Sequence, residues 1–143
     1  MSERTGFLLV RAGGRLVGLP LEHLVAVAAI GEVHPVPSPE LAMRGVARLR
    51  SETMPVLHLG ALLAGTRCPA EAGDTGVVVE ADGFRLCLEV DEADVVSRAT
   101  VMPLPADTSL PWARGVARTA DGLVPLLDLP ALGARLAGKE TDS

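Results

Sequence analysis

The chain has 143 residues, of which 48% are hydrophobic and only 2% aromatic, and its formal net charge is −5. A chain of this length usually forms one domain or two very small ones, and its core must be filled mainly by Val, Leu and Ala. The acidic balance argues against nucleic acid and anionic membrane surfaces as partners.

The amino terminus and the cysteines set the expected compartment. The first residues, MSERTG, lack the charged and then apolar pattern of a signal peptide. The longest apolar run, Leu24 to Ile30, is too short to span a bilayer. Cys68 and Cys87 are isolated and lack CxxC spacing, which favours two reduced thiols over a disulfide or a metal site. The sequence therefore predicts a cytoplasmic protein with no direct membrane insertion.

The first half of the chain reads as two hairpins separated by a short helix and one further strand that leads into a Pro-rich corner. FLLVRAGGRLVGLP has two apolar runs around a Gly-Gly turn, which predicts a β-hairpin. In the following PLEHLVAVA, Leu21, Leu24, Val25 and Ala28 fall at helical spacing and predict a short amphipathic helix. The Pro-rich corner HPVPSPE ends strand pairing, because proline lacks a backbone donor and fixes φ. GVARLR and MPVLHL then predict the second hairpin.

The second half repeats the first. Residues 45–63 read GVARLRSETMPVLHLGALL, and seventy positions later the chain reads GVARTADGLVPLLDLPALG, with nine of nineteen residues identical. Upstream, the hairpin sequence VRAGGRLVGLPL resembles VEADGFRLCLEV at 79–90. The counterpart of the predicted helix, VDEADVV, is expected to form at most one helical turn. The repeat predicts a single domain of two intertwined halves, roughly 7–66 and 76–136, with the C-terminal segment free to pack on either half.

The repeat also predicts the fold class. Each half supplies about five short strands, the number found in small SH3-like or OB-like barrels, and neither half alone has much core. We therefore expect a mainly β protein in which two five-stranded SH3-like β-barrel subdomains pack together. One short amphipathic helix follows the first hairpin, and a short helix lies at the C-terminal end.

No pattern of catalytic or metal-binding residues stands out. The three histidines, His23, His34 and His58, do not lie at the spacings used by helical metal ligands. Cys87 lies in the apolar run RLCLEV, where a small buried hydrophobe is the favoured interpretation. The carboxylates of 89–94 lack the alternating offsets of a calcium loop. We predict no enzymatic activity, no cofactor and no metal; a small thiol enzyme using Cys87 or His58 is a distant alternative.

Two surface features remain as candidates for partner contact. The run LVAVAAI is more hydrophobic than one small barrel requires, so either part of it faces a partner or all of it is buried within the fold. Arginines beside the two GVAR segments predict a local positive patch in an otherwise acidic molecule. The arginines of this predicted patch are Arg44, Arg48, Arg50, Arg114 and Arg118.

The order of these motifs resembles the CheW-like coupling proteins of bacterial chemosensory arrays. The resemblance extends from Phe7 to about Leu136 through FLLVRAGGRLVGLPLEHLVAV, VHPVPSPELAMRGVARLR, MPVLHLGALL, LEVDEADVV and GVARTADGLVPLLDLPAL. It implies two SH3-like barrels and a non-enzymatic scaffold. In that family a chemoreceptor's helical tip packs in an apolar groove between the barrels, and the regulatory domain of a CheA-type histidine kinase contacts the barrel ends. Other CheW-like proteins are further expected partners.

Two family motifs carry the expected contacts. The family's Asn-Leu-Arg-Gly stands here at 48–51, so the arginine tied to coupling is kept as Arg50. The family's Val-x-Glu-Val/Ile stands at 24–27. The resemblance implies these partner-binding residues: Leu24, Val25, Val27, Arg48, Leu49, Arg50, His58 and Val90.

Departures from the family pattern cluster in the first half. In the family's Pro-Val/Ile-x-Asp-Leu-Arg, His58 replaces the Asp and Gly60 replaces the final Arg. Ala26 replaces an acid, and Arg48 adds a positive charge where the family has Asn. Missing or reversed charges at an interface cost specificity and exclude partners. An ordinary coupler is the first hypothesis. Because of these departures, an accessory CheW-like protein that binds receptors with weakened or lost kinase binding is the alternative.

Overall fold

The computed structural model describes residues 4–81, 83–105, 110–120 and 122–134. A 3-10 turn lies at Leu21–His23, and short helices lie at Leu59–Ala64 (α1) and 129–134 (α2). No helix in these ranges is long and apolar enough to cross a membrane. The strands are β1 (Arg4–Ala12), β2 (Arg15–Pro20), β3 (Leu24–Ala29), β4 (Met43–Leu49), β5 (Glu52–His58), β6 (Thr75–Ala81), β7 (Phe84–Val90), β8 (Glu92–Met102), β9 (Ala113–Thr119) and β10 (Gly122–Leu127).

Each sheet combines the first hairpin of one sequence repeat with the last three strands of the other. A closed barrel has the order β1-β2-β10-β9-β8, and a second five-stranded sheet has the order β3-β6-β7-β5-β4. We match β1 to β5, in order, with β6 to β10. Because the closed barrel can be followed from any strand, its order then becomes β3-β6-β7-β5-β4, the order of the second sheet. The two repeats have therefore exchanged their first hairpins. The predicted mainly β fold with two five-stranded sheets is confirmed.

The exchange brings equivalent residues together in both sheets. Val56 of β5 pairs in parallel with Cys87 of β7, and Leu126 of β10 pairs in parallel with Gly18 of β2. The sequence repeat matches Val56 with Leu126 and Gly18 with Cys87. A Cβ atom at Gly18 would lie 2.4 Å from the Leu126 side chain and 2.9 Å from the Phe7 side chain, so a larger residue here would force these two side chains to move.

The two sheets close to different extents. In the barrel, β8 pairs with β9 through Met102 and Val116, among others. The repeat matches this pair with His34 and Val46, which form an isolated bridge with two backbone hydrogen bonds of 2.8 and 2.9 Å. One sheet is thus closed by a strand pair, and the other by a single bridge in the Pro-rich corner.

The largest apolar core is shared by the two sheets. Val10 and Leu19 of the barrel and Leu57 and Leu88 of the second sheet are fully buried members of one cluster. Smaller clusters fill the inside of each sheet. Burying a Val or Leu side chain contributes about 1.5–3 kcal/mol, so the shared cluster holds the sheets against each other.

The structure corrects the helix predicted after the first hairpin. Only Leu21–His23 is helical, as a 3-10 turn, and Leu24–Ala29 is strand β3. Exposure alternates along β3, with Val25 and Val27 exposed. The segment is too short for its helical spacing of apolar residues to be decisive, because so few residues satisfy it by coincidence. Hydrogen bonding to β6 makes the segment a strand, and its exposure therefore alternates with a period of two. VDEADVV likewise enters strand β8, whereas the predicted C-terminal helix is confirmed at 129–134.

Candidate partner-binding surfaces

Exposed valines concentrate on β3 and β8, which occupy equivalent places in the repeat. Val25 and Val27 on β3 are 38% and 50% exposed, and Val95 and Val96 on β8 are 55% and 57% exposed. The hairpin alignment, extended without a gap, matches Val27 with Val96. We call β3 and β8 the valine strands. Large exposed apolar side chains grouped on particular strands are typical of interaction surfaces.

Both valine strands begin at the junction of the two sheets. Leu24 on β3 and Ala93 on β8 are half-buried and pack against the shared core, and the repeat places them at matching positions. Leu21 of the 3-10 turn packs against the same core. Each strand therefore runs from apolar residues fixed by the core to valines that face solvent.

The structure separates the apolar residues that the resemblance implied for partner binding. Leu24, Val25 and Val27 lie together on β3. Leu49 and Val90 are only 5% and 4% exposed and belong to two different core clusters. The side chains of Leu49 and Val90 thus stabilise the sheets. Of the apolar residues that the resemblance implied for partner binding, those that face solvent lie on β3.

The remains of the Asn-Leu-Arg-Gly motif lie at the β4–β5 turn. Arg48 is exposed near the end of β4, and Arg50 is exposed in the turn itself, with φ 52°. Ser51, which stands where the family has glycine, has φ 68°. Such positive φ values favour glycine because a Cβ atom is strained there. Neither Arg48 nor Arg50 forms an ion pair with another described residue.

The predicted patch of five arginines does not form. Arg44 is largely buried, and its Nε donates to Glu89 Oε1 at 2.9 Å. Arg114 Nη1 donates to Glu22 Oε1 at 2.9 Å and lowers the pKa of that carboxyl group. The other three arginines of the predicted patch are divided between the two sheets. The sequence could not reveal these ion pairs, because both acidic partners are distant along the chain.

His58 caps helix α1. Its Nδ1 accepts a hydrogen bond from the Ala61 backbone N–H at 3.0 Å. The matching residue of the second repeat, Asp128, accepts one from Ala131 N–H at 3.0 Å at the start of α2. The histidine at the position of the family's Asp thus caps its helix as Asp128 does in the second repeat.

Replacing His58 by alanine is expected to lower the free energy of unfolding by about 1 kcal/mol, because Ala61 N–H loses its acceptor. His58→Asp should retain most of the stability, since a carboxylate accepts the same bond in the second repeat. Urea unfolding followed by circular dichroism measures both, with Asp128→Ala as a matched loss of a cap. A His58→Ala protein as stable as the parent would show that the cap contributes nothing.

The structure argues against Cys87 as the nucleophile of a thiol enzyme. Cys87 is fully buried in the core of the second sheet. Burial, with a smaller effect from Glu89, raises the pKa of the Cys87 thiol to about 12. A nucleophilic cysteine needs an accessible thiolate, and at neutral pH Cys87 is neither accessible nor ionised. Within the described ranges, no group of three or more His, Cys, Asp and Glu residues could hold a metal ion.

Comparisons with known proteins give a consistent result. A family model described as a CheW-like domain matches residues 6–136. The chain is similar in structure to the scaffolding protein TtCheW from Thermoanaerobacter tengcongensis, with a TM-score of 0.74 and 21% sequence identity over 90% of this chain and 87% of that one. At this identity the structural match establishes the fold. No curated protein matches the chain in sequence.

Proposed function

Because this chain belongs to the CheW-like domain family, which matches it over residues 6–136, we propose that it is a non-enzymatic adaptor of chemotaxis-type signal transduction. It couples the cytoplasmic tip of a methyl-accepting chemoreceptor to the regulatory domain of a CheA-type histidine kinase. The main support is the presence of exposed valines on the two equivalent valine strands. An adaptor requires such surfaces and needs no reacting groups.

Receptor binding on this proposal follows helix-in-groove recognition. An amphipathic helix places its apolar side chains against residues such as Val27 and Val96, where the half-buried Leu24 and Ala93 continue the apolar surface into the core. Each valine that becomes fully buried contributes up to about 1.5 kcal/mol. Charged residues around such a contact set the register of the helix more than its affinity.

Substituting the valines separately tests this surface. Val27→Asp and Val96→Asp are each expected to weaken binding of a chemoreceptor cytoplasmic fragment by at least about tenfold, because a carboxylate must lose water at an apolar contact. The thermal midpoint should change little, since both side chains already face solvent. Fluorescence anisotropy with labelled receptor fragments from the same genome measures the affinity.

Val36→Asp is the matched control. Val36 is an exposed valine in the Pro-rich corner, outside both valine strands. The Val36→Asp variant should bind the receptor fragment with the same affinity as the parent protein. Unchanged binding by both Val27→Asp and Val96→Asp, or an equal loss in Val36→Asp, would place the receptor contact elsewhere.

An accessory adaptor that binds receptors but not the kinase is the second candidate. It is supported by the exposed Arg48 and Arg50, which have no acidic partner in the described part of the chain, in a motif that has lost its Asn and Gly. The replacement at His58 does not favour it, because His58 keeps a structural role as a helix cap. A pull-down with the kinase regulatory domain separates the two candidates, and robust kinase binding would eliminate the accessory role.

A further inference from the structure

Three arginines meet on the outer face of the barrel. Arg4, Arg98 and Arg118 are exposed and line one shallow depression of about 310 Å³. Arg4 pairs with Thr100 across β1 and β8, and the register of β8 with β9 places Thr100 beside Arg118. Arg98 lies two residues before Thr100, on the same face of β8. We call these three residues the arginine triad.

The arginine triad has no acidic partner within the described part of the chain. None of its three guanidinium groups forms an ion pair there. Arg4 Nη2 instead donates to the Arg98 backbone carbonyl at 2.8 Å, which holds its side chain along β8. In contrast, Arg85 and Arg114 each contact a carboxylate. Three neighbouring like charges repel one another, so an acidic ligand that binds the triad relieves this repulsion.

We propose that the arginine triad binds an acidic segment of a partner protein. Guanidinium groups pair with carboxylates through two parallel hydrogen bonds. Neighbouring strands lie about 4.8 Å apart, so the backbones at Arg4 and Arg118, two strands apart, are separated by roughly 10 Å. That spread suits several carboxylates along a peptide better than one small anion.

An apolar residue extends this surface toward β10. Leu123 pairs with Arg118 across β9 and β10 and is exposed. An acidic segment that also carries an aliphatic side chain would therefore gain both charge pairing and apolar burial. Arg98 lies two residues from Val96 on β8, but the triad is defined by charge and not by the valines, so the proposal does not depend on the coupling function.

A charged peptide tests the proposal on the full chain. The probe is a labelled twelve-residue peptide of Ala and Glu with Glu at every fourth position, and the reference is the same peptide with Gln in place of Glu. The Glu peptide should bind at low ionic strength at least tenfold more tightly than the Gln peptide. Raising the salt concentration from about 0.02 M to about 0.3 M should weaken binding of the Glu peptide by a similar factor, because exposed charges are screened.

Variants identify the surface. Arg98→Glu and Arg118→Glu should each weaken binding of the Glu peptide about tenfold or more. Arg67→Glu, the matched control, reverses an exposed arginine outside the triad and should have less than a twofold effect. Val27→Asp should bind the peptide as the parent does, so this experiment and the receptor-binding experiment can fail independently.

Three results would overturn the proposal. Equal binding of the Glu and Gln peptides would remove the role of charge. An equal loss in Arg67→Glu would show that net charge, and not the triad, attracts the peptide. Displacement of the peptide by inorganic phosphate at an equal concentration would instead indicate a site for a compact oxyanion.

Discussion

Replacing Glu89 by alanine is expected to lower the free energy of unfolding by about 3–5 kcal/mol, as removal of one member of a buried ion pair does. The side chains of Arg44 and Glu89 are only 9% and 5% exposed. Arg44 donates from Nε at 2.9 Å and from Nη2 at 3.1 Å. The alanine variant would leave a charged guanidinium in the protein interior with no counterion.

The same ion pair holds the connection between α1 and β6. Glu89 Oε2 accepts from the Gly73 backbone N–H at 2.7 Å, and Arg44 donates to the carbonyls of Pro69 and Glu71. Hydrogen bonding to Glu89 raises the pKa of Arg44 further above its ordinary value, so Arg44 stays charged. Loss of Glu89 should therefore also increase amide hydrogen exchange at Gly73.

Urea unfolding of three variants isolates the contribution of this pair. The double variant Arg44→Met/Glu89→Leu should lose less stability than Glu89→Ala, because no unpaired charge stays buried. Glu52→Ala removes a carboxylate from an exposed pair with Arg85, also at 2.9 Å, and should cost no more than about 1 kcal/mol. A Glu89→Ala protein within about 1 kcal/mol of the parent would mean that the interior tolerates the unpaired Arg44.

Restoring the family's arginine at Gly60 is expected to destabilise the protein by about 2 kcal/mol. A Cβ atom at Gly60 would lie 2.9 Å from Gly13 N and 3.0 Å from Gly13 Cα. These are backbone atoms in the turn of the first hairpin, where Gly13 has φ 60°. Neither side of this contact can yield by rotating a side chain, so the hairpin and helix α1 must separate.

Gly31→Arg is the control for the Gly60→Arg variant. A Cβ atom at Gly31 would meet no atom within 4 Å, and an exposed substitution of this kind usually changes stability by less than about 0.5 kcal/mol. Thermal unfolding compares the two variants directly. Equal midpoints would show that the hairpin moves away from α1 without cost, and the departure at Gly60 would then need a different explanation.

The sequence repeat predicted the strands better than their partners. Hydrophobic runs and turn residues are local signals, so the two hairpins of each half could be inferred. The parallel pairing of Val56 with Cys87 joins residues far apart along the chain, and nothing in local periodicity specifies it. The helix predicted at 21–28 is wrong for a related reason. Over so few residues the apolar pattern fits both a helical period and a strand period, and pairing with the distant β6 makes the segment a strand.

The candidate site was predicted in part. The family resemblance indicated Val25 and Val27, and the structure places both in solvent. Val95 and Val96 lie outside the set that the resemblance implies, and the prediction of at most a helical turn at VDEADVV does not place them on a strand, although the hairpin alignment, when extended, matches Val96 with Val27. Val90, which the resemblance implies as a partner-binding residue, is buried, because β7 is buried along most of its length.

Formation of a three-component complex tests the central proposal most directly. A chemoreceptor cytoplasmic fragment, this protein and the kinase regulatory domain would be mixed and analysed by sedimentation velocity, in pairs and together. The coupling proposal predicts a species containing all three components, which disappears when this protein is omitted. Sedimentation of this protein alone, with neither the receptor fragment nor the kinase domain bound, would contradict the proposal.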